Sequence, residues 1–228
     1  MDDTSFFNAK AAGYGLYKVY PDREYRRIIA ACGIPRLPLG ARVLDAGCGS
    51  GAFSGYLLEL GLEVTGMDIS DGLIRLAQET LPGGKFLAGD IFRTGLDAGA
   101  YDAVFCGAVL HHFPGRLPEA FAEFSRLLAH GGKVYFFEPY AHSVNSFFWY
   151  KVLNIDRTPG EAALSPAGVE RDFRAAGFVD FSFVRVDAVE NVQPAAGSTL
   201  GEALNSARRF VSRNLIPNTY FAGSALKL

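Results

Sequence analysis

Val43-Leu44-Asp45-Ala46-Gly47-Cys48-Gly49-Ser50-Gly51 is an apolar strand end that runs into three glycines on alternate positions. A strand stopping at Asp45 and turning through Gly47, Gly49 and Gly51 brings bare backbone N–H groups against a ligand, because no Cβ blocks the approach. Residues 52–60 carry the pattern of the helix that follows, whose N-terminus would lie under that ligand. The stretch therefore predicts a strand–loop–helix unit built to hold a nucleotide-like group.

Glycines alone do not choose the ligand. Gly47, Gly49 and Ala52 also satisfy the dinucleotide pattern G-x-G-x-x-G/A, which keeps a nicotinamide or flavin reading open. Three acids count against it. Asp45 stands two residues before the first glycine, where dinucleotide folds usually carry an apolar residue, and its carboxylate could order the loop or meet an ammonium group. Residues 62–67 form a second strand pattern closing on Asp68-Ile69, an acid about 20 residues past the loop and suited to a ribose diol. A third short strand, 85–88, runs into Gly89-Asp90-Ile91 and supplies a further acid.

With these motifs in order, the chain resembles the class I S-adenosylmethionine-dependent methyltransferases of the small-molecule type. The resemblance covers roughly residues 41–140. It implies a Rossmann-like α/β fold: a parallel sheet with an antiparallel last strand slotted between strands five and six, helices on both faces, and N-terminal cover helices. It also implies that Gly47, Cys48, Gly49 and Gly51, with Asp45, hold the methionine end of S-adenosylmethionine. Asp68 and Ile69 would take the ribose, and Asp90 and Ile91 the adenine. Residues 101–106 match strand four, and Gly107-Ala108-Val109-Leu110-His111-His112-Phe113 matches the turn under the sulfonium. Residues 127–140 supply a helix end, a Gly131-Gly132 stop and a fifth strand.

Composition sets outer bounds. The 228 residues suit one α/β domain, divided into an N-terminal cover (1–40), a cofactor-binding core (41–140) and a substrate-side insert with the C-terminal strands (141–228). Lys plus Arg number 22 against 24 acids, so no basic field exists to hold a phosphate backbone, and nucleic acid is not expected as a partner. Cys32, Cys48 and Cys106 are scattered and include no C-x-x-C pair, which suits a reducing compartment. With no signal-like start and no apolar run of membrane-spanning length, a cytoplasmic protein is expected.

Outside the core the pattern is less specific. Ser70 can cap a helix over 73–80, and residues 118–129 carry Phe121, Phe124 and Leu128 at helical spacing, with His130 at the helix end. Ser165-Pro166 opens another helix that turns Val169 and Phe173 inward and stops at Gly177. Strands are expected over 178–186 and 219–226, and a helix over about 200–214. Before the core, residues 3–33 carry two helical stretches, the second over 22–31. In the resembled family such helices close over the cofactor, which brings Tyr14, Tyr17 and Tyr20 toward the methionine carboxylate or the substrate. Core cover is the competing reading.

The chemical candidates lie at the same sheet edge. Methyl transfer from a sulfonium is an in-line displacement, and a base is needed only when the nucleophile carries a proton. His111 and His112 are adjacent, so at most one is expected to face the reacting atom as a base; the competing reading is that the pair structures the turn. Glu138 and His142 flank the end of strand five and are further candidates. No His/acid pair has metal-ligand spacing in the sequence, so no metal site is expected. An Asp/Asn-Pro-Pro-aromatic loop is missing after strand four, where Gly107-Ala108-Val109 stands, which counts against amide and nucleobase acceptors.

Together these features predict methyl transfer to a small, apolar or lipid-like acceptor. The alternatives are a nicotinamide-dependent oxidoreductase and a cofactor-binding protein without transfer activity. Phe6, Phe7, Phe147, Phe148, Trp149 and Tyr150 fit an apolar wall over the acceptor. Arg208, Arg209 and Arg213 beside Phe210 and Leu215 would also fit an anionic membrane surface, against the commoner case of a helix that covers a sheet.

Overall fold

The computed structural model describes residues 5, 8, 22–142, 160–187 and 220–228. Among them, seven strands form one sheet: β1 (Arg42–Ala46), β2 (Glu63–Asp68), β3 (Lys85–Ala88), β4 (Tyr101–Gly107), β5 (Leu128–Pro139), β6 (Phe178–Val186) and β7 (Tyr220–Lys227). Their spatial order is β3-β2-β1-β4-β5-β7-β6. The pairs from β3 to β5 are parallel, whereas β7 runs antiparallel to both β5 and β6. This is the Rossmann-like arrangement expected from the alternating strand and helix patterns, with the last strand slotted in as predicted.

The pleat sorts the core into two layers, because successive side chains on a strand point to opposite faces. Val104 and Cys106 of β4, with Val134 and Phe136 of β5, join helices α4 (Leu117–Leu127) and α5 (Pro166–Ala175) on one face. Ala103 and Phe105, with Tyr135 and Phe137, meet α1 (Asp22–Cys32) and α2 (Ala52–Glu59) on the other. Phe121 of α4 and Phe173 of α5 stack at 3.8 Å with their planes 8° apart. Burying a ring of this size stabilises the fold by about 1.5–3 kcal/mol. Helix α3 (Asp71–Thr80) begins as the sequence implies, with the Ser70 hydroxyl accepting from the Leu73 N–H at 3.2 Å.

One boundary differs from expectation. Helix α4 ends at Leu127, so Leu128, His130 and Gly131 belong to β5 and not to a helix end. Gly131 does take positive φ (76°), but it serves an irregularity in the sheet: Leu128 pairs with Tyr101, and Lys133 pairs with Ala103. A left-handed glycine fits a bulge as well as a helix stop, and the sequence pattern does not separate the two. The helix expected over 200–214, with Arg208, Arg209, Phe210, Arg213 and Leu215, lies outside the described residues. So do Phe6, Phe7, Tyr14, Tyr17, Tyr20, Phe147, Phe148, Trp149 and Tyr150. Among the described residues, no helix is long and apolar enough to cross a membrane.

Candidate functional site

The carboxyl ends of β1, β2 and β4 meet at one edge, where open α/β sheets hold ligands. The loop after β1 bends through Gly47, Gly49 and Gly51, all at positive φ (77°, 54° and 84°). Among the described residues, only one of the three has room for a Cβ. A Cβ on Gly47 would stand 2.2 Å from Cγ2 of Val109, and one on Gly51 would stand 2.7 Å from Cδ1 of Leu81. On Gly49 it would meet Leu73 at 4.0 Å and nothing closer.

The loop's N–H groups are not bare, which corrects the expectation drawn from its glycines. Gly47 and Cys48 both donate to the Met67 carbonyl (2.8 and 3.0 Å), and Gly51 donates to the Cys48 carbonyl at 3.0 Å. Gly49 donates to Asp68 Oδ2 at 2.9 Å, while Asp68 Oδ1 accepts from the Ser70 N–H at 2.9 Å. Each Asp68 oxygen thus accepts one of these bonds, and the carboxylate also faces the Ile69 N–H. Burial raises the Asp68 pKa, partly offset by the N–H groups of Ser70, Gly49 and Ile69.

Asp45 is buried beneath the loop and accepts the Ser54 hydroxyl proton at 2.6 Å. Burial pushes its carboxyl up to about 7, against the Ser54 bond and with the help of nearby Asp68. Ser54 was not singled out by the sequence, where only its place on the following helix could have marked it. Cys48 turns its thiol inward among Ile74, Ala77 and Phe86, and Ile91 is buried beside the core, so neither side chain faces the open edge. Ile69 is 43% exposed next to Asp68, and Asp90 is exposed, its Oδ1 accepting from the Phe92 N–H at 2.9 Å. A second unforeseen contact comes from Asn8, whose Oδ1 accepts from the Ser70 hydroxyl (2.6 Å) and the Gly72 N–H (3.3 Å).

Gly107 closes β4 against Phe53, since a Cβ there would come within 2.6 Å of its ring. Ala108 then takes φ 58° and donates its N–H to the Phe137 carbonyl at 2.8 Å. Residues Leu110–His112 form one 3-10 turn held from below by Glu138. Glu138 is fully buried. Its Oε1 accepts from the N–H groups of Val109 (3.0 Å) and Leu110 (2.8 Å). Its Oε2 accepts from the His111 N–H (3.3 Å) and meets His111 Nδ1 at 2.7 Å. The structure therefore puts Glu138 under the turn as a group that holds it, while His142 is exposed near Tyr140.

The histidines come closer than their adjacency suggested. Their ring centroids are 4.2 Å apart, and both rings face Glu161, a residue the sequence offered only as part of a loop. The sequence shows no metal-ligand spacing between His and acid residues, but in space ligand atoms of His111, His112 and Glu161 all lie within 4.8 Å of one another. Burial lowers the His112 pKa, and His111 lowers it further, with Glu161 opposing both.

A family model described as a methyltransferase domain matches residues 44–136, from within β1 to within β5. The chain is 36% identical over 97 residues to a malonyl-[acyl-carrier protein] O-methyltransferase of Serratia marcescens, an alignment covering 42% of this chain and 38% of that protein. It is 32% identical over 145 residues to a ubiquinone biosynthesis O-methyltransferase of Xanthomonas axonopodis, covering 58% of this chain and 51% of that one. The chain thus spans about two fifths to one half of the length of these relatives. The methyltransferase fold extends further: a crystal structure of a SAM-dependent methyltransferase from Archaeoglobus fulgidus superposes with TM-score 0.68 at 20% identity, covering 99% of this chain and 100% of that one.

Proposed function

We propose that the chain transfers a methyl group from S-adenosylmethionine to a small acceptor. The observation that carries this reading is the chemistry of the edge beneath the loop. The N–H groups of Gly47, Cys48, Gly49 and Gly51 have partners within the chain, so they form no cradle for a pyrophosphate. Carboxyl groups gather there instead, with Asp68 close enough to raise the proton affinity of Asp45 in the direction a cation would reverse. A sulfonium bearing an ammonium fits that environment, and a dinucleotide does not.

Room over Gly49 among the described residues lets the methionine end lie against the loop. Asp68 would take the ribose hydroxyls, with Ile69 giving an apolar face and Asp90 an acceptor for the adenine amine. Asp45 would act from below, by charge and by fixing Ser54 and the start of α2. When bound, the cofactor supplies an electrophilic methyl. The chain's own part is to orient the acceptor, exclude water and, where the nucleophile carries a proton, to take that proton. His111 and His112 are the candidates for that task, in a turn whose Val109 packs on Gly47 of the loop.

Both relatives named above are O-methyltransferases, which supports an oxygen nucleophile. The run Phe147-Phe148-Trp149-Tyr150 shortly after β5 supports an apolar or lipid-like acceptor. Calorimetry with S-adenosylhomocysteine tests the cofactor directly. Asp68→Ala should raise its Kd roughly 10- to 150-fold, the equivalent of about 1.5–3 kcal/mol for a charge-assisted contact. Tight binding of a reduced nicotinamide dinucleotide with no binding of S-adenosylhomocysteine would overturn the reading.

A further inference from the structure

His111, His112 and Glu161 form a compact group of donors whose geometry is that of a ligand set. Nε2 of His111 lies 3.7 Å from Glu161 Oε1, and Nδ1 of His112 lies 3.4 Å from Oε2. Zinc held tetrahedrally at about 2.0–2.1 Å separates its ligand atoms by about 3.3 Å. These two separations, each to a different oxygen of Glu161, lie within a few tenths of an ångström of that value, while the whole set, spread over as much as 4.8 Å, must draw together for one ion to reach all three residues.

Three features fix this arrangement. The Ala162 N–H donates to the His111 carbonyl at 2.9 Å, and residues 139–141 and 164 exchange the bonds Leu164 N–H to Pro139 (3.1 Å) and Ala141 N–H to Leu164 (2.8 Å). The segment bearing Glu161 is thus fastened both to the histidine turn and to the end of β5. An ionised Glu138 can only accept, so with Glu138 as a carboxylate the contact at 2.7 Å is the His111 ring donating its Nδ1 proton, which makes Nε2, on the side of Glu161, the unprotonated nitrogen. A carboxylate behind a histidine is the usual outer support of a metal ligand, since it sets the tautomer and raises ligand basicity. Finally, the three side chains are only 9%, 19% and 11% exposed, which limits the access of water to them.

We propose that His111, His112 and Glu161 bind a first-row divalent transition metal, zinc above all, with one coordination position left open. Two imidazole nitrogens and one carboxylate suit zinc and its neighbours and disfavour magnesium and calcium, which take oxygen ligands. Binding of the metal does not require the methyl-transfer reading, although it would engage the imidazole nitrogens to which proton removal is assigned. Use of the open position rests on that reading: an acceptor hydroxyl bound there would ionise more readily and present its oxygen beside the glycine loop.

The test uses the full chain, stripped with a chelator and then titrated. Zinc should be retained at one ion per chain after gel filtration, and cobalt(II) should develop the intense visible bands of a tetrahedral site. Loss of an outer partner commonly costs about 10–100-fold in metal affinity. Glu138→Gln should therefore weaken zinc by about that factor, and Glu161→Gln or His112→Ala by more. His130→Ala, in β5 away from the cluster, serves as the control and should change nothing. S-adenosylhomocysteine binding, measured on the same samples, reports the cofactor reading separately. No retained zinc in the wild type would overturn the metal site, as would zinc affinity equal in wild type and Glu161→Gln, whatever the cofactor does.

Discussion

Glu138→Gln is the sharpest perturbation of the site, because it changes one oxygen of a fully buried group that touches four donors. The glutamine keeps a carbonyl for the N–H groups of Val109 and Leu110, which approach Oε1 at 3.0 and 2.8 Å. Its amide then replaces Oε2 and confronts the His111 N–H (3.3 Å) and ring Nδ1 (2.7 Å). The ring can answer by moving its proton to Nε2 and accepting from the amide, but the His111 backbone N–H is left without this acceptor. Leaving such a donor buried costs about 1–3 kcal/mol, and the two retained bonds lose their charge assistance. A total of about 2–4 kcal/mol is expected, or a fall in Tm of roughly 5–15 °C for a chain of this size. Calorimetric melting would measure the first quantity, and nitrogen NMR of His111 would show its proton moving from Nδ1 to Nε2. Replacing a buried charge is sometimes neutral. A variant as stable as the wild type, with the ring proton still on Nδ1, would refute the account of how the turn is held.

Asp45→Asn should alter the pH profile of stability. A carboxyl whose folded pKa is raised from 3.8 to about 7 by burial favours the protonated fold, so its contribution is whole below about pH 4 and is lost as pH rises through 7. Asparagine keeps an oxygen for Ser54 and cannot ionise; urea midpoints between pH 4 and 8 should lose a decline on the order of 4 kcal/mol, and parallel declines in the two proteins would contradict this. Gly47→Ala should cost more than Gly49→Ala. Both adopt positive φ, worth about 1–2 kcal/mol, but only Gly47 also collides with Val109, at 2.2 Å. Adding Val109→Ala to Gly47→Ala should recover part of the excess in denaturant titrations, and strict additivity would show that the collision is not the cause.

Much of the fold was legible because its signals are local. Strand β3 was bounded at Lys85 and Ala88 by glycines and a following acid, and Ser165 and Ser70 marked the helix starts they cap. The site was harder to read, because its decisive contacts join distant segments. Glu138 looks like an edge carboxylate in the sequence. Only the parallel register of β4 on β5, with Gly107 opposite Phe137, puts the 109–111 turn above it. Glu161 sits in a stretch without periodicity, and its partnership with the histidines depends on the bond from Ala162 to His111. The loop glycines were read for ligand approach, whereas Gly47 and Gly51 mainly make room for Val109 and Leu81.

The place of β7 has a consequence for how the protein is made. Until residues 220–227 emerge and pair, β5 is an open edge from Lys133 to Pro139, the stretch that carries Glu138 and aligns it opposite Phe221. During synthesis the ribosome would therefore release a nearly complete nucleotide-binding half with an unpaired, largely apolar border, a template for joining another nascent chain. Strand β6 is translated earlier yet gains its pairing with β7 only afterwards. Truncations or slow translation just before β7 should thus aggregate well before any loss of cofactor contacts could be felt, and chaperone demand should peak at that point of elongation.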